Sequence, residues 1–370
     1  MQYKITTKTP VHIGTGNKYS KAEYIIIGDS LYRISLNKLL ATKSNIEKKE
    51  FAEDLENPNF RLSNYIKSKN IKPSKIKQYS AKLNSRTPRD LVEQIKVNDM
   101  PYIPGSSLKG AIRTAILYDL FSVNDFAKVD KFLNNRNIRK RNKNLDLYFQ
   151  KKLTNPNKRN LANYSIMKFI QISDTNPINS MEIYCTKSLE VFDRGPWKWY
   201  KRRGRDIEVY LESIPENTTL NGTFNCGLNE ISSIATTKLG ISDKKNILDI
   251  ENIKEYCYQF SRDLIEHEIE FAIDYNINFL EKFYNKLKRE NTVQNPYLKL
   301  GHGSGFLAMT MGLKIKKQNP KLYEKIRNSM RGRSSKFEFP KTRKIVVDKN
   351  NNPISPIGWV KFDVKEKEEG

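Results

Sequence analysis

A proline–glycine break between a strand-like run and an apolar helix constrains this chain more than any other segment. It lies in residues 102–113, which read YIPGSSLKGAIR. Proline lacks the N–H that a strand ladder needs, and glycine tolerates backbone angles that other residues resist. We expect Ser106 or Ser107 to cap the following helix, which runs to about Phe121. The segment therefore predicts a strand–turn–helix unit.

The start of such a helix attracts anions because its N–H groups are unpaired and the helix dipole is positive there. Lys109 and Arg113 are four residues apart, so they lie on one helical face and add two cations near the turn. A strand–turn–helix unit alone is common in proteins with other roles. The two cations favour a site for the phosphate backbone of a nucleic acid.

The charge balance also indicates a polyanionic partner. Lysine and arginine number 66 against 41 acidic residues, which gives a net charge of +25. Nucleic acid and an anionic membrane surface are the two candidates. The sequence has no apolar run that could span a bilayer, no secretory signal and no lipidation motif, so we expect no membrane partner. The alternative is a merely solvated surface from a lysine- and asparagine-rich composition, but the charges are clustered.

Metal and redox chemistry are not expected. The three cysteines are widely spaced, with neither a zinc pattern nor a disulfide framework, which suits a reducing cytoplasm. Three histidines are too few for a multi-histidine metal site. We therefore expect no metal, no cofactor and a cytoplasmic location.

A chain of 370 residues can bury a good core and is expected to form two subdomains. The first covers residues 1–195 and carries a basic insertion at about 131–159; the second covers residues 196–370. Alternation predicts a strand at residues 2–9, and a hairpin is expected at 24–34. The further predictions are a short helix capped by Ser35, a long helical tract at 246–290, and a closing hairpin of residues 341–348 with 356–362.

Two segments concentrate positive charge. Residues 131–159 hold ten lysines or arginines and one acid, Asp146, so they form either a phosphate-binding arm or a solvated loop. Residues 194–205, RGPWKWYKRRGR, interleave three aromatics with six cations. Aromatic faces stack on bases while cations hold the backbone, which is typical of single-strand binding. The alternative is a hairpin tip packed on a neighbouring subunit. The candidate RNA contacts here are Trp197, Trp199, Lys201, Arg202 and Arg203.

Two glycine loops complete the motifs. The first follows the N-terminal strand and contains His12, Gly14 and Gly16. The second, residues 300–306, places Gly301, Gly303 and Gly305 at alternating positions around His302 and opens a short helix. It matches neither the dinucleotide fingerprint nor a P-loop. Close approach of a phosphate chain to the backbone is the expected use.

These motifs together resemble the RAMP superfamily of CRISPR proteins. The resemblance is carried, in this order, by residues 10–16, 103–110, 303–306 and 356–359, which cover nearly the whole chain. The length, the large central region and the final glycine–tryptophan hairpin are most similar to the fifth Csm subunits of type III-A effector complexes.

The resemblance implies an α+β fold of two ferredoxin-like (RRM-like) subdomains with helical insertions. It also implies a place at the head end of the complex and contact with the 3′ part of the CRISPR RNA. The implied partners are other Csm subunits, especially the repeated backbone subunit and the small subunit, and cellular nucleases that the protein assists in final 3′ maturation. At motif level it adds His12, Gly14, Gly16, Lys109, Arg113, Gly301, His302, Gly303 and Gly305 as RNA-binding candidates. The sequence has no clean RNP motif, so loops and helix starts are expected to bind RNA rather than a sheet face.

Three other functions stay open. A metal-independent endoribonuclease would use His12 and His302 as acid and base, with Lys109 supplying a cation. A metal-assisted slicing subunit would need an acid in an exposed loop; Asp29 and Asp99 lie in predicted turns, but no motif marks either of them. A scaffold that binds acidic proteins alone would show no RNA binding even at low salt.

Overall fold

The computed structural model describes residues 1–41, 43–134, 138–155, 157, 161–192, 195–227, 233–331 and 338–365. Parts of the predicted basic insertion (135–137, 156 and 158–160) and Arg194 of the aromatic segment lie outside the described residues.

The structure is a mixed α+β fold. The strands, in chain order, are β1 Gln2–Thr7, β2 Gly14–Tyr19, β3 Tyr24–Ile27, β4 Ser30–Ile34, β5 Lys77–Leu83, β6 Leu91–Gln94, β7 Lys96–Val97, β8 Met100–Pro101, β9 Ile170–Ile172, β10 Glu182–Glu190, β11 Lys198–Trp199, β12 Lys201–Arg202, β13 Arg205–Asp206, β14 Glu208–Ser213, β15 Thr219–Cys226, β16 Tyr297–Lys299, β17 Thr342–Val347, β18 Pro353–Pro356 and β19 Trp359–Lys365. The α-helices are α1 Leu36–Leu40, α2 Asn45–Glu56, α3 Leu62–Ser68, α4 Pro73–Ile76, α5 Gly105–Leu120, α6 Val123–Leu133, α7 Ile138–Lys152, α8 Ser233–Leu239, α9 Ile250–Asp274, α10 Asn278–Glu290, α11 Gly305–Met309, α12 Gly312–Gln318 and α13 Pro320–Arg331.

The smaller sheet has the strand order β16-β19-β1-β15-β9, and every neighbouring pair is antiparallel. Along β1, Tyr3 and Ile5 are buried while Gln2 and Lys4 face solvent, as the two-residue period of a strand requires. The buried face joins helices α5, α9 and α10 in the largest hydrophobic core. Alternation at residues 2–9 thus correctly predicted the strand, which ends at Thr7.

The larger sheet is built around the long strand β10. Its main order is β2-β6-β14-β10-β5-β4-β3, and β11 and β17 also pair with β10. The pairs β5–β10 and β6–β14 are parallel, whereas the others are antiparallel. The predicted hairpin at 24–34 is confirmed as β3 and β4, and Ser35 caps α1 by accepting a hydrogen bond from the Lys38 N–H.

Both sheets take strands from both sides of residue 195. In the smaller sheet β1 pairs with β15 and β19, and in the larger one β10 pairs with β17. Strand pairing therefore crosses residue 195, and the division of the chain into two subdomains at that position stays a prediction.

The predicted closing hairpin is wrong in one strand. Its first strand is β17, but β17 pairs with β18, Pro353–Pro356, rather than with residues 356–362. The chain then leaves that sheet, and β19 pairs with β1 and β16 of the smaller sheet. The change of sheet occurs at Gly358, which has a φ of +93°.

Gly358 also lies where two other backbone segments approach. Its N–H donates to the Pro10 carbonyl (2.9 Å), and its carbonyl accepts from the Leu300 N–H (2.8 Å). A Cβ at this position would lie only 2.4 Å from the Leu300 carbonyl oxygen. Glycine is therefore required here both by the backbone conformation and by the close approach.

We expect Gly358→Ala to lower the free energy of unfolding by about 3 kcal/mol, because a strained φ and a backbone clash combine. Gly195→Ala is the matched control: Gly195 has a φ of +91°, and nothing lies within 4 Å of a Cβ there. The control should lose only about 1–2 kcal/mol, the cost of the conformation alone. Urea unfolding measures both, and equal losses would contradict the role of the close approach.

Candidate nucleic-acid interface

The two glycine loops predicted from the sequence lie in direct contact. The His302 N–H donates to the His12 carbonyl over 2.8 Å. Gly301, with a φ of +64°, lies so close that a Cβ would be 2.1 Å from the His12 carbonyl oxygen. Gly358 links the final strand to both loops. Three of the sequence motifs therefore meet at one place, which we call the glycine junction: residues 10–14, 300–303 and 358.

The fourth motif reaches the junction through a buried glutamine. The Gln94 side-chain oxygen accepts from the Ile13 N–H (2.8 Å), and its amide nitrogen donates to the Tyr102 carbonyl (3.3 Å). Gln94 is fully buried. The strand end before the proline–glycine turn is thus tied to the first glycine loop, while Lys109 and Arg113 lie farther along α5.

The expected serine cap of α5 is wrong. The helix begins at Gly105 with Pro104 as its N-cap, so Ser106 and Ser107 lie in its first turn. The Gly105 N–H donates to the Asp174 carboxylate over 2.8 Å. A Cβ at Gly105 would lie 2.2 Å from the Ile172 carbonyl oxygen. A carboxylate of the chain itself therefore occupies the place expected for a phosphate.

Lys109 and Arg113 border a groove of about 550 Å³ between α5, α7 and the segment that contains Lys168. The Lys109 ammonium donates to the Ile170 carbonyl (2.8 Å), and burial lowers the pKa of Lys109. Arg113 is half-buried along the same groove. The two cations share a face, as their spacing predicted, but Lys109 partly serves to hold β9 against the helix.

The two histidines of the glycine junction face each other. Their ring centroids are 6.0 Å apart with the planes at 81°. Burial, His12 and Lys344 together lower the pKa of His302 to about 4. Burial also lowers the pKa of His12, with Lys96 acting in the same direction against a hydrogen bond to the Glu212 carbonyl. Both imidazoles are therefore neutral at pH 7.

Glu212 forms hydrogen bonds with His12 and with three other residues packed beneath it. The Glu212 carbonyl accepts from His12 Nδ1 (2.6 Å), which fixes the proton of the neutral ring on that nitrogen. Its fully buried carboxylate accepts from Lys96 Nζ (2.6 Å), the Tyr79 hydroxyl (2.5 Å) and the Gln94 N–H (3.1 Å). Burial raises the pKa of Glu212, while Lys96 opposes the shift. No local motif marks Glu212 or Gln94, so sequence reasoning missed both.

In the aromatic segment, β11 pairs with β10, and the residues that follow form a hairpin of β12 and β13. Arg203 and Gly204 form its tip with positive φ angles of 50° and 78°, as in two-residue hairpin turns. Lys201, Arg202 and Arg203 are exposed, and Tyr200 is 37% exposed. We call residues 200–205 the basic hairpin.

The two tryptophans before the basic hairpin are partly buried. Trp197 and Trp199 pack edge to face at 5.2 Å, and Trp197 also contacts Phe279 of α10 at 6.2 Å. The Lys187 ammonium lies 5.1 Å from the centre of the Trp199 ring and pairs with Asp206. Each tryptophan thus already serves packing, which limits the ring surface open to a base.

The described part of the chain holds no group of three histidine, cysteine or acidic side chains close enough to bind a metal ion. None of its helices is long and apolar enough to cross a membrane.

The low pKa of His302 predicts a pH-dependent stability. Its folded pKa of about 4 lies below the ordinary value of 6.5, so protons bind the unfolded chain better and stability falls as pH drops through this window. Between about pH 7 and pH 5, wild type should lose about 1–2 kcal/mol more unfolding free energy than His302→Gln, which cannot titrate. Urea unfolding at both pH values tests this, and identical losses would contradict it.

Comparison with known proteins agrees with the arrangement of the motifs. The RAMP superfamily pattern matches residues 4–332. A Methanocaldococcus jannaschii protein described as "CRISPR system Cms protein Csm5" is 26% identical over 405 residues, covering 99% of this chain and 89% of that protein. A Streptococcus thermophilus protein of the same description is 26% identical over 236 residues, which span 58% of this chain and 61% of that protein.

Two solved structures share the fold. One, from "Cryo-EM structure of Csm-crRNA-target RNA ternary complex in type III-A CRISPR-Cas system", gives a TM-score of 0.72 at 22% identity, covering 98% of this chain and 100% of that one. The "Crystal structure of T.onnurineus Csm5" gives a TM-score of 0.62 at 19% identity and covers 96% and 99%. With the superfamily pattern matched over most of its length and its motifs joined at the glycine junction, this chain belongs to the RAMP superfamily.

Proposed function

We propose that this protein is a non-catalytic RNA-binding subunit of a type III-A CRISPR (Csm) effector complex in the cytoplasm. In this proposal it consists of two ferredoxin-like subdomains and caps the head end of the complex. It contacts the 3′ part of the CRISPR RNA and supports its 3′ maturation by assisting cellular nucleases rather than by cutting. Its neighbours are the repeated backbone subunit and the small subunit. The glycine junction is the observation that carries the proposal.

The junction brings closely packed backbone to one place on a strongly basic protein. Glycine loops let a phosphate chain approach the main chain, and a net charge of +25 supplies the long-range attraction. The exposed cations of the basic hairpin and the half-buried Arg113 add positive surface. We assign RNA contact to His12, Gly301, His302 and Gly303 in the loops, to Gly14 and Gly16 in β2 and Gly305 at the start of α11, to Lys109 and Arg113 on α5, and to Trp197, Trp199, Lys201, Arg202 and Arg203.

The comparisons support the assembly. Two relatives are named Csm5, and the chain with the TM-score of 0.72 comes from a complex that contains Csm proteins, CRISPR RNA and target RNA. A shared fold over 98% of the chain makes the same kind of place in such a complex the simplest proposal.

The histidine pair argues for binding rather than cleavage. Cleavage at the 2′-OH needs one group that takes a proton and another that donates one. A neutral imidazole can take a proton, but at pH 7 neither ring carries one to donate as an imidazolium. His12 is also only 3% exposed, with Nδ1 held by the Glu212 carbonyl. The proposed role of the pair is to fix the two loops.

The two acids considered for metal-assisted slicing have structural partners. Asp29 pairs with Lys349, and Asp99 accepts a hydrogen bond from the Gln78 side chain over 2.7 Å. Both lie in turns, as expected, and neither lies in a cluster of metal ligands among the described residues.

Removing three cations from the basic hairpin should weaken RNA binding. We expect Lys201→Gln with Arg202→Gln and Arg203→Gln to lower affinity for a single-stranded RNA and to reduce the slope of log affinity against log salt by about 0.7 for each phosphate that is no longer neutralised. The control Lys48→Gln with Lys49→Gln and Lys67→Gln removes the same charge from exposed positions on α2 and α3. Fluorescence anisotropy at several salt concentrations measures both. Equal effects would remove the hairpin from the interface, and absence of RNA binding by wild type at low salt would favour a protein-only scaffold.

The purified protein should bind RNA without cutting it, with or without magnesium, because both histidines are neutral at pH 7 and neither is an imidazolium that could act as the general acid. Denaturing gels of labelled RNA after incubation with stoichiometric protein provide the measurement. Specific cleavage that disappears in both His12→Ala and His302→Ala but persists in His267→Gln would overturn the proposal in favour of a metal-independent nuclease. Melting curves of each variant show whether it has folded.

A further inference from the structure

A cleft of about 390 Å³ opens beside the second glycine loop. Gly303 and Gly305 form one side, Phe306 supplies an apolar wall, and strand β17 forms the other side with Arg343 and Lys344. Lys299, Glu268 and His302 also line it. None of Lys299, Arg343 and Lys344 was marked by the sequence motifs.

The guanidinium of Arg343 is held by hydrogen bonds from two of its three nitrogens, while the third has no partner among the described residues. It is 8% exposed, and its Nε donates to both carboxylate oxygens of Glu268 at 3.0 and 2.7 Å. Its Nη1 donates to the carbonyls of Pro340 (2.7 Å) and Thr342 (3.2 Å). Its Nη2 is buried and has no partner among the described residues. An unpaired buried donor on a charged group is costly, so the position favours an acceptor from outside the chain.

The cleft also carries uncompensated positive charge. Among the described residues that line the cleft, Lys299, Arg343 and Lys344 stand against one carboxylate, Glu268, with Glu338 acting on Arg343 from outside the lining, and His302 is neutral at pH 7. Burial, together with Arg343 and against Glu268, lowers the pKa of Lys299 to about 8, and burial lowers the pKa of Lys344. Lys344 reaches only a neutral group, donating to the Ser188 hydroxyl over 2.8 Å. An anion that entered the cleft would meet an excess of about two positive charges, each held at an electrostatic cost.

We propose that this cleft binds a phosphomonoester, either the phosphorylated end of an RNA strand or a free nucleotide, with Arg343, Lys344 and Lys299 holding the phosphate. A phosphomonoester carries a charge of about −1.5 to −2 at pH 7, which matches the excess, whereas an internal diester carries about −1. The volume lies near the lower end of the 300–1,000 Å³ typical of ligand sites, so it suits one nucleotide rather than a continuous strand. Phe306 provides an apolar surface for the sugar or base.

This inference deepens the proposed function. It rests on that function only if the phosphomonoester is the end of an RNA strand, and not if it is a free nucleotide. The test uses one short RNA sequence in three forms, with a 3′-phosphate, with a 5′-phosphate, or with hydroxyl groups at both ends. Wild type should bind one phosphorylated form at least about tenfold more tightly than the hydroxyl form, a ratio within reach of one added charged hydrogen bond. The form that gains identifies the end, whereas binding of adenosine 3′- or 5′-monophosphate with no gain for either phosphorylated RNA identifies a free nucleotide as the source.

The variant Lys299→Gln with Lys344→Gln should reduce the preference to less than about twofold. Lys282→Gln with Lys286→Gln, exposed on α10 and outside the cleft, should leave it unchanged. If the cleft variant melts at a lower temperature than wild type, Lys344→Gln alone carries the test, since its ammonium bonds only a neutral hydroxyl. Arg343 is left intact because its loss would strand the buried Glu268 carboxylate.

The outcomes separate this inference from the proposed function. Equal affinity for all three RNA forms, with no competition by nucleotides, would overturn the phosphomonoester site and leave RNA binding intact. Binding of nucleotide monophosphates that the cleft variant abolishes, without RNA binding, would support the site while the proposed function fails.

Discussion

The pairing of β1 with β19 is the constraint on which the rest of the structure depends. The two strands are antiparallel from Gln2↔Lys365 to Thr7↔Val360, and the Thr9 hydroxyl accepts from the Trp359 N–H just beyond the ladder. This register places Pro10 beside Gly358, and Gly358 in turn holds Leu300. The two glycine loops therefore touch because two distant strands pair in one register. A shift by one residue would turn the buried face of β1 outward and separate the loops.

Two buried ion pairs lie beneath the candidate interface and hold its loops in place. Two carboxylates, Glu212 and Glu268, lie inside the protein beside Lys96 and Arg343 respectively. Buried pairs of this kind add little net stability but are costly to break, so they hold the surrounding segments in one arrangement. Glu212 lies under the first glycine loop and Glu268 beside the second. Burial also lowers the pKa of both His12 and His302 and keeps their rings neutral at pH 7. Burial therefore both holds the two loops in place and deprives them of an imidazolium that could act as a general acid.

The sequence predicted pieces of this arrangement better than their assembly. The strand predicted at residues 2–9 and the hairpin predicted at 24–34 follow from local rules of alternation and turn formation; the hairpin is β3 and β4, and the strand is present but ends at Thr7. The cap of α5 was missed because Asp174, 69 positions away in the sequence, outcompetes the local serines. Gln94 and Glu212 were missed because their bonds join segments far apart in the sequence: Gln94 bonds to Ile13 across 81 positions, and the Glu212 carboxylate to the Gln94 N–H across 118.

The tryptophans show another limit of sequence reasoning. An aromatic next to cations looks the same in sequence whether its face is open or packed, and only the position of Phe279 on α10 shows that Trp197 is partly covered. The family resemblance supplied the order of the motifs, but contacts across the fold decide which of their atoms are accessible.

The register between β1 and β19 also has a consequence for biosynthesis. The bond from Trp359 to Thr9 spans 350 positions, so a ribosome must finish nearly the whole sequence before the first strand finds this partner. Until then β1 has one open edge, and closing so long a loop is slow compared with local helix formation. A nascent chain interrupted before residue 358 has no glycine junction. A chain that stops shortly before residue 358 would therefore contain most of the strands and helices described above and still lack the two backbone bonds by which Gly358 joins Pro10 to Leu300.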